Sequence, residues 1–211
     1  MSDIFDPNAA TTEGSGIFGL PHSEWEARLI FLPVPWEVTT SYGGGTSGGP
    51  AAILEASHQV DLYDVDLDRP YRAGLHLLAE SEEVIEWNQE GKKLAAEIIA
   101  KGGVIAGDKR LESALSRVNE LSRNLNQYVY DQVRAQLAKN KIVCVLGGDH
   151  SVPLGAFKAL GEKFGDFGVL HFSASSCNNT FQIVFTNFFS KFVQQKCRIC
   201  VFHFMFPPLQ I

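Results

Sequence analysis

Lys141-Ile142-Val143-Cys144-Val145-Leu146-Gly147-Gly148-Asp149-His150-Ser151 is the stretch that decides the fold. After Lys141 the first part is wholly apolar, as expected of a strand buried on both faces of a parallel sheet. Gly147-Gly148 turns that strand into a loop. A helix over Val152–Lys163 and a strand over Phe167–Phe172 complete a β-loop-α-β unit. Upstream, Leu111, Leu115, Val118, Leu121, Leu125, Val129, Val133 and Leu137 recur at spacings of three and four. They form one apolar stripe on a helix running from Arg110 to Lys139, with Asn140 as its stop. A shorter helix spans Gly91–Ala100 and ends at Gly102-Gly103. Residues 60–80 are mixed, with an acidic cluster at Asp61, Asp64, Asp66 and Asp68.

Arg28-Leu29-Ile30-Phe31-Leu32-Pro33-Val34-Pro35 reads as a second buried strand, ended by prolines. It leads into Trp36–Pro50, where Gly43, Gly44, Gly45, Thr46, Ser47 and Gly48 form a loop whose backbone approaches something closely. Pro50 is a good first-turn residue and opens a helix through Ala51, Ala52, Ile53 and Leu54. Strands alternating with helices predict an α/β fold: a three-layer parallel sheet with helices on both faces. Residues 1–27 read as a polar, irregular lead-in and 28–172 as the α/β domain.

In such a fold ligands bind beyond the carboxyl ends of the strands. The glycine loop, the 147–151 loop and the residues after Phe172 all fall on that edge. Asp149 and His150 together are a reasonable ligand pair for Mn, Fe or Zn. In an isolated Asp-His pair, the commoner role is for His150 to cap the next helix or to fill a polar pocket.

Composition sets the outer bounds. The chain has 211 residues, 45% hydrophobic and 20% charged, which is enough to bury a core. Its formal charge of −6 offers no basic footprint for nucleic acid. No secretory leader and no membrane-spanning apolar run is read, so a cytoplasmic protein is expected.

The Gly147-Gly148-Asp149-His150-Ser151 loop after an apolar strand resembles the first metal-binding loop of the ureohydrolases, the arginase and agmatinase family of binuclear manganese hydrolases. Thr39–Ile53 is similar to that family's N-terminal substrate-side loop, and the long preceding helix also fits. The resemblance covers roughly residues 28–172 and is closer to agmatinase than to arginase. It implies two manganese ions sharing a hydroxide that attacks the carbon of a guanidino substrate and releases urea. It implies His150 as a metal ligand, Asp149 as hydrogen-bonding support behind it, and residues 43–48 near the substrate. It also implies a homo-oligomer when the fold is complete.

The chain departs from that pattern after Phe172. Ser173, Ser175 and Cys177 stand where the family has Asp, His and Asp, and the family's later Asp-x-Asp pair and proton-shuttling histidine find no counterpart. One histidine does not hold two hard divalent cations, so the chain is expected to be inactive. The arginase-like sheet is expected to be incomplete at its C-terminal side, leaving an exposed edge and an exposed helical face.

Composition breaks at the same place. Residues 173–211 contain no Asp, Glu or Gly, although the chain holds 24 acids and 19 glycines, and they carry eight of its 15 phenylalanines. About four acids would be expected there by proportion. This tail is expected to be aberrant, a frame-shifted or mis-spliced product without a selected packing pattern. A genuine apolar hairpin is the other reading. Three classes of function follow: a damaged agmatinase-like hydrolase, a catalytically dead paralogue acting as an interaction or regulatory subunit, or a zinc module using Cys197, Cys200, His203 and Cys177.

Overall fold

The structure is a computed structural model that describes residues 5–7, 14–40, 43–165, 167–174 and 181–187, with side chains up to residue 169. Three parallel strands form the central sheet in the order β2-β1-β3: β1 is Leu29–Val34, β2 is Leu75–Leu77 and β3 is Ile142–Gly147. β1 lies in the middle, pairing Leu29 with Leu75 on one side and Leu29 through Val34 with Ile142 through Gly147 on the other. The central strand tolerates Pro33 because of register. Pro33 shares the parity of Leu29, whose N–H bonds the Gly74 carbonyl on the β2 side. β2 has already ended at Leu77, so the missing N–H forfeits no ladder bond.

Among the described residues, four helices cover the sheet: α1 (Gly49–Ser57), α2 (Glu82–Ala100), α3 (Lys109–Ala138) and α4 (Leu154–Phe164). Leu32 and Val34 of β1 and Val143 and Val145 of β3 share one core with α2, α3 and α4. The opposite side chains, Cys144 and Leu146, pack with Ile53 and Leu54 of α1 and with Ile17. Helices therefore lie on both faces, as expected of the α/β reading. The lead-in is less irregular in its packing than its sequence implies. Ile17, Leu20 and Ala27 are buried, and Lys141 Nζ donates to the carbonyls of Glu24, Trp25 (3.2 Å) and Ala27 (3.0 Å).

The helix boundaries have local causes. The Asp108 carboxylate accepts from the amides of Arg110 (3.0 Å) and Leu111 (3.2 Å) and caps α3. Asn140 takes a left-handed conformation, φ 58°, just past its end. α2 begins nine residues before the expected Gly91, at a Ser81 cap followed by Glu82 and Glu83. Gly91 is interior to the helix because a Cβ there would lie 2.7 Å from Val38 Cγ2. No helix among the described residues is long and apolar enough to cross a membrane.

One expectation is corrected. The strand expected over Phe167–Phe172 is β4, Gly168–Ala174, but it does not join the parallel sheet. It pairs antiparallel with β5, Phe181–Asn187, from Gly168 opposite Asn187 to Ala174 opposite Phe181. Only six residues separate the two strands, so closure costs little entropy, and Phe-Gln-Ile-Val-Phe-Thr-Asn has strong strand propensity. The remaining tail positions, with Ser175, Cys177, Cys197, Cys200 and His203, lie outside the described residues.

Candidate functional site

The exits of β1 and β3 meet at the carboxyl edge of the sheet. The amide of Asp149 donates to the carbonyl of Trp36 at 2.9 Å. Gly148 makes that approach possible, because a Cβ there would stand 1.7 Å from the Trp36 oxygen. A side chain at Gly148 is therefore sterically forbidden, and this is the physical reason for the second glycine of the loop. The 43–49 loop arrives at the same edge: a Cβ on Gly49 would lie 3.5 Å from the Gly147 carbonyl oxygen.

Asp149 accepts three hydrogen bonds. Its Oδ1 accepts from the Ser151 amide at 2.9 Å and from Ser151 Oγ at 2.5 Å, and its Oδ2 accepts from Thr39 Oγ1 at 3.2 Å. These bonds shape the turn that leads into α4 and tie it to the β1 exit. α4 itself starts at Leu154 behind Pro153 and has no side-chain cap, so the capping role open to His150 in sequence is not taken up. His150 is exposed and follows the carboxyl end of β3.

The glycine loop is organised by a residue that the sequence reading did not single out. Glu37 is 2% exposed. Its Oε2 accepts from the amides of Gly45 (2.7 Å) and Ser47 (2.9 Å) and from Thr46 Oγ1 (3.1 Å). Its Oε1 takes the ammonium of Lys92 from α2. Its own amide donates to Asn88 Oδ1 at 2.8 Å, and Asn88 is buried as well. Burial pushes the Glu37 carboxyl upward, but Lys92 and the Ser47 and Gly45 amides outweigh it and hold its pKa at about 2. A carboxylate between Trp36 and Val38 was the available signal: an acid inside a buried stretch needs donors, and a glycine-rich loop supplies free amides.

The donors at this edge do not fit a pair of divalent cations. Among the described residues, no group of three or more His, Cys, Asp or Glu side chains is placed to hold a metal ion. Of the further ligand positions that the resemblance implies, Ser173 is not a carboxylate in this sequence, and Ser175 and Cys177 lie outside the described residues.

A family model described as the arginase family matches residues 27–176. The chain belongs to the arginase family. Arginase-family relatives include the N(1)-aminopropylagmatine ureohydrolase of Thermus thermophilus, 28% identical over 160 residues that make up 75% of this chain and 43% of the relative. The agmatinase of Bacillus cereus is 28% identical over 149 residues, 71% of this chain and 40% of the relative. The arginase of Staphylococcus aureus is 26% identical over 130 residues, 62% of this chain and 35% of the relative. The chain thus spans less than half the length of these curated relatives. No solved structure matches it at a significant level.

Proposed function

We propose that this arginase-family chain carries the substrate-side half of an agmatinase-like ureohydrolase scaffold and does not itself hydrolyse a guanidino C–N bond. The observation that carries the reading is the donor set. His150 and the glycine loop stand at the carboxyl edge, while Ser173, Ser175 and Cys177 replace the Asp-x-His-x-Asp that the family resemblance calls for. In the ureohydrolase reading the bond is cleaved by water that metal makes nucleophilic, and these residues do not offer the carboxylates for it. Residues 43–48 remain the side on which an agmatine-like cation would enter.

The test is metal analysis and urea release on the purified full chain after equilibration with Mn(II). The expected result is far less than stoichiometric manganese and no urea from agmatine or arginine. A content near two manganese ions per chain (the pair implied by the resemblance) together with urea production would overturn the proposal.

The composition break supports a change of reading frame near codon 173 as the origin of the lost ligands. Translating the other two frames of the encoding DNA beyond codon 172 decides this. Recovery of Asp-x-His-x-Asp supports the damaged hydrolase, whereas its absence from both frames favours a dead paralogue serving as an interaction subunit.

A further inference from the structure

We infer that Glu37 is the positioning residue of the glycine loop, a buried clasp that pre-forms the substrate-side wall of the edge independently of any metal. The inference rests on the proposed reading only in calling that wall substrate-side; the clasp itself stands on geometry. Three elements converge on one carboxylate: the β1 exit that carries it, the loop that donates from Gly45, Thr46 and Ser47, and α2, which supplies Lys92, while Asn88 of α2 accepts from the Glu37 backbone amide. The loop needs such an anchor. Gly43 and Gly45 take positive φ, 69° and 106°, and Gly43, Gly44 and Gly45 are exposed. Glycines in an exposed loop lose much entropy on ordering and bring no side chain to hold them in place.

Charge-assisted bonds to backbone amides are about twice as strong as neutral ones, and here the accepting oxygen lies in the protein interior, where the bonds gain further strength. Lys92 keeps the buried carboxylate from standing alone, so it is part of the clasp. None of these groups is a metal ligand in the arginase-like reading. The wall therefore does not depend on the Asp, His and Asp that Ser173, Ser175 and Cys177 replace. The Glu37 carboxylate accepts from four protein donors, three on Oε2 and the Lys92 ammonium on Oε1, which is the bonding of a structural clasp.

Amide hydrogen exchange on the full chain, read by NMR, tests the clasp. In Glu37→Ala the Gly45 and Ser47 amides should exchange at least about tenfold faster, the factor for loss of one strong hydrogen bond. The Val143–Leu146 amides of β3 should stay within about twofold of the parent, because the opening is local. Lys92→Met should loosen the same two amides, and Lys92→Arg should restore them. Glu37→Gln keeps an acceptor without the charge and should fall between, which provides a reading if Glu37→Ala does not fold. Unchanged Gly45 and Ser47 amides, or loop and β3 amides accelerating together, would overturn the clasp. Agmatine added to the parent separates the two readings. Shifts at Gly45 and Ser47 support a substrate-side wall. No shift removes that function while the clasp stands.

Discussion

Gly148→Ala is the most direct probe of the edge. The new Cβ would sit 1.7 Å from the Trp36 carbonyl oxygen, 2.6 Å from its carbon and 3.2 Å from the Trp36 nitrogen. All three are backbone atoms, so no rotamer relieves the overlap. Relief requires the β1 and β3 exits to part by roughly 1.5 Å to reach an ordinary contact. That shift breaks the 2.9 Å bond from the Asp149 amide to Trp36 and strains the Thr39–Asp149 link. Overpacking costs about 1–3 kcal/mol, and the orphaned backbone groups add about 1–3 kcal/mol. The expected loss is about 4 kcal/mol, which at about 2 kcal/mol per molar urea moves the unfolding midpoint down by about 2 M. Gly49→Ala is the control. Its Cβ meets the Gly147 oxygen at 3.5 Å and its φ is −54°, so it should leave the midpoint nearly unchanged. A Gly148→Ala midpoint within about 0.5 M of the parent, with the slope preserved, would refute the close approach of the two strand exits.

Other outcomes follow from the same contacts. Glu37 falls from an ordinary value near 4.5 to about 2, which corresponds to about 3 kcal/mol of stability. Because the folded pKa is depressed, that contribution is fully present above pH 4.5 and is lost as pH falls through 2. Glu37→Gln should lower stability at pH 7 and flatten its dependence across that window, as measured by urea titrations at several pH values. Lys141→Met should leave the carbonyls of Glu24, Trp25 and Ala27 without their shared donor. A loss of about 2 kcal/mol should lower the calorimetric midpoint by about 6 °C. Deleting residues 173–211 removes β5 and the end of β4 but no strand of the β2-β1-β3 sheet. The urea midpoint of the core should be no lower than that of the full chain, and solubility should be equal or better.

Local sequence carried the elements whose causes are local. β1, α3 and β3 lie within a residue of their expected bounds, because unbroken apolar runs and a three-four stripe leave no competing period. β2 was invisible: three residues, Leu75, His76 and Leu77, have no periodicity, and only pairing with Leu29–Phe31 makes them a strand. The α2 boundary was hidden by Gly91, which marks a tight contact with Val38 and not a helix start. β4 was found but its partner was not, since pairing is a contest between a distant parallel edge and a nearby antiparallel one. In the candidate site, the Gly-Gly-Asp-His loop was legible as chemistry. The division of labour within it was not. Only coordinates show Asp149 turned toward Ser151 and Thr39, and Glu37 gathering a loop that begins six residues later.

The central place of β1 has a consequence in time. Its partner β3 follows more than a hundred residues later in the chain, so the sheet that carries the edge cannot close until nearly 150 residues exist. At typical synthesis rates of about 5–20 residues per second, β1 waits roughly ten seconds with the backbone N–H and C=O groups of one edge unpaired. Long-range parallel pairing is also slow to form once both strands are present. The interval between the emergence of Leu29 and that of Gly147 is therefore when the newborn chain most needs a chaperone, and a pause in translation within α3 would lengthen it.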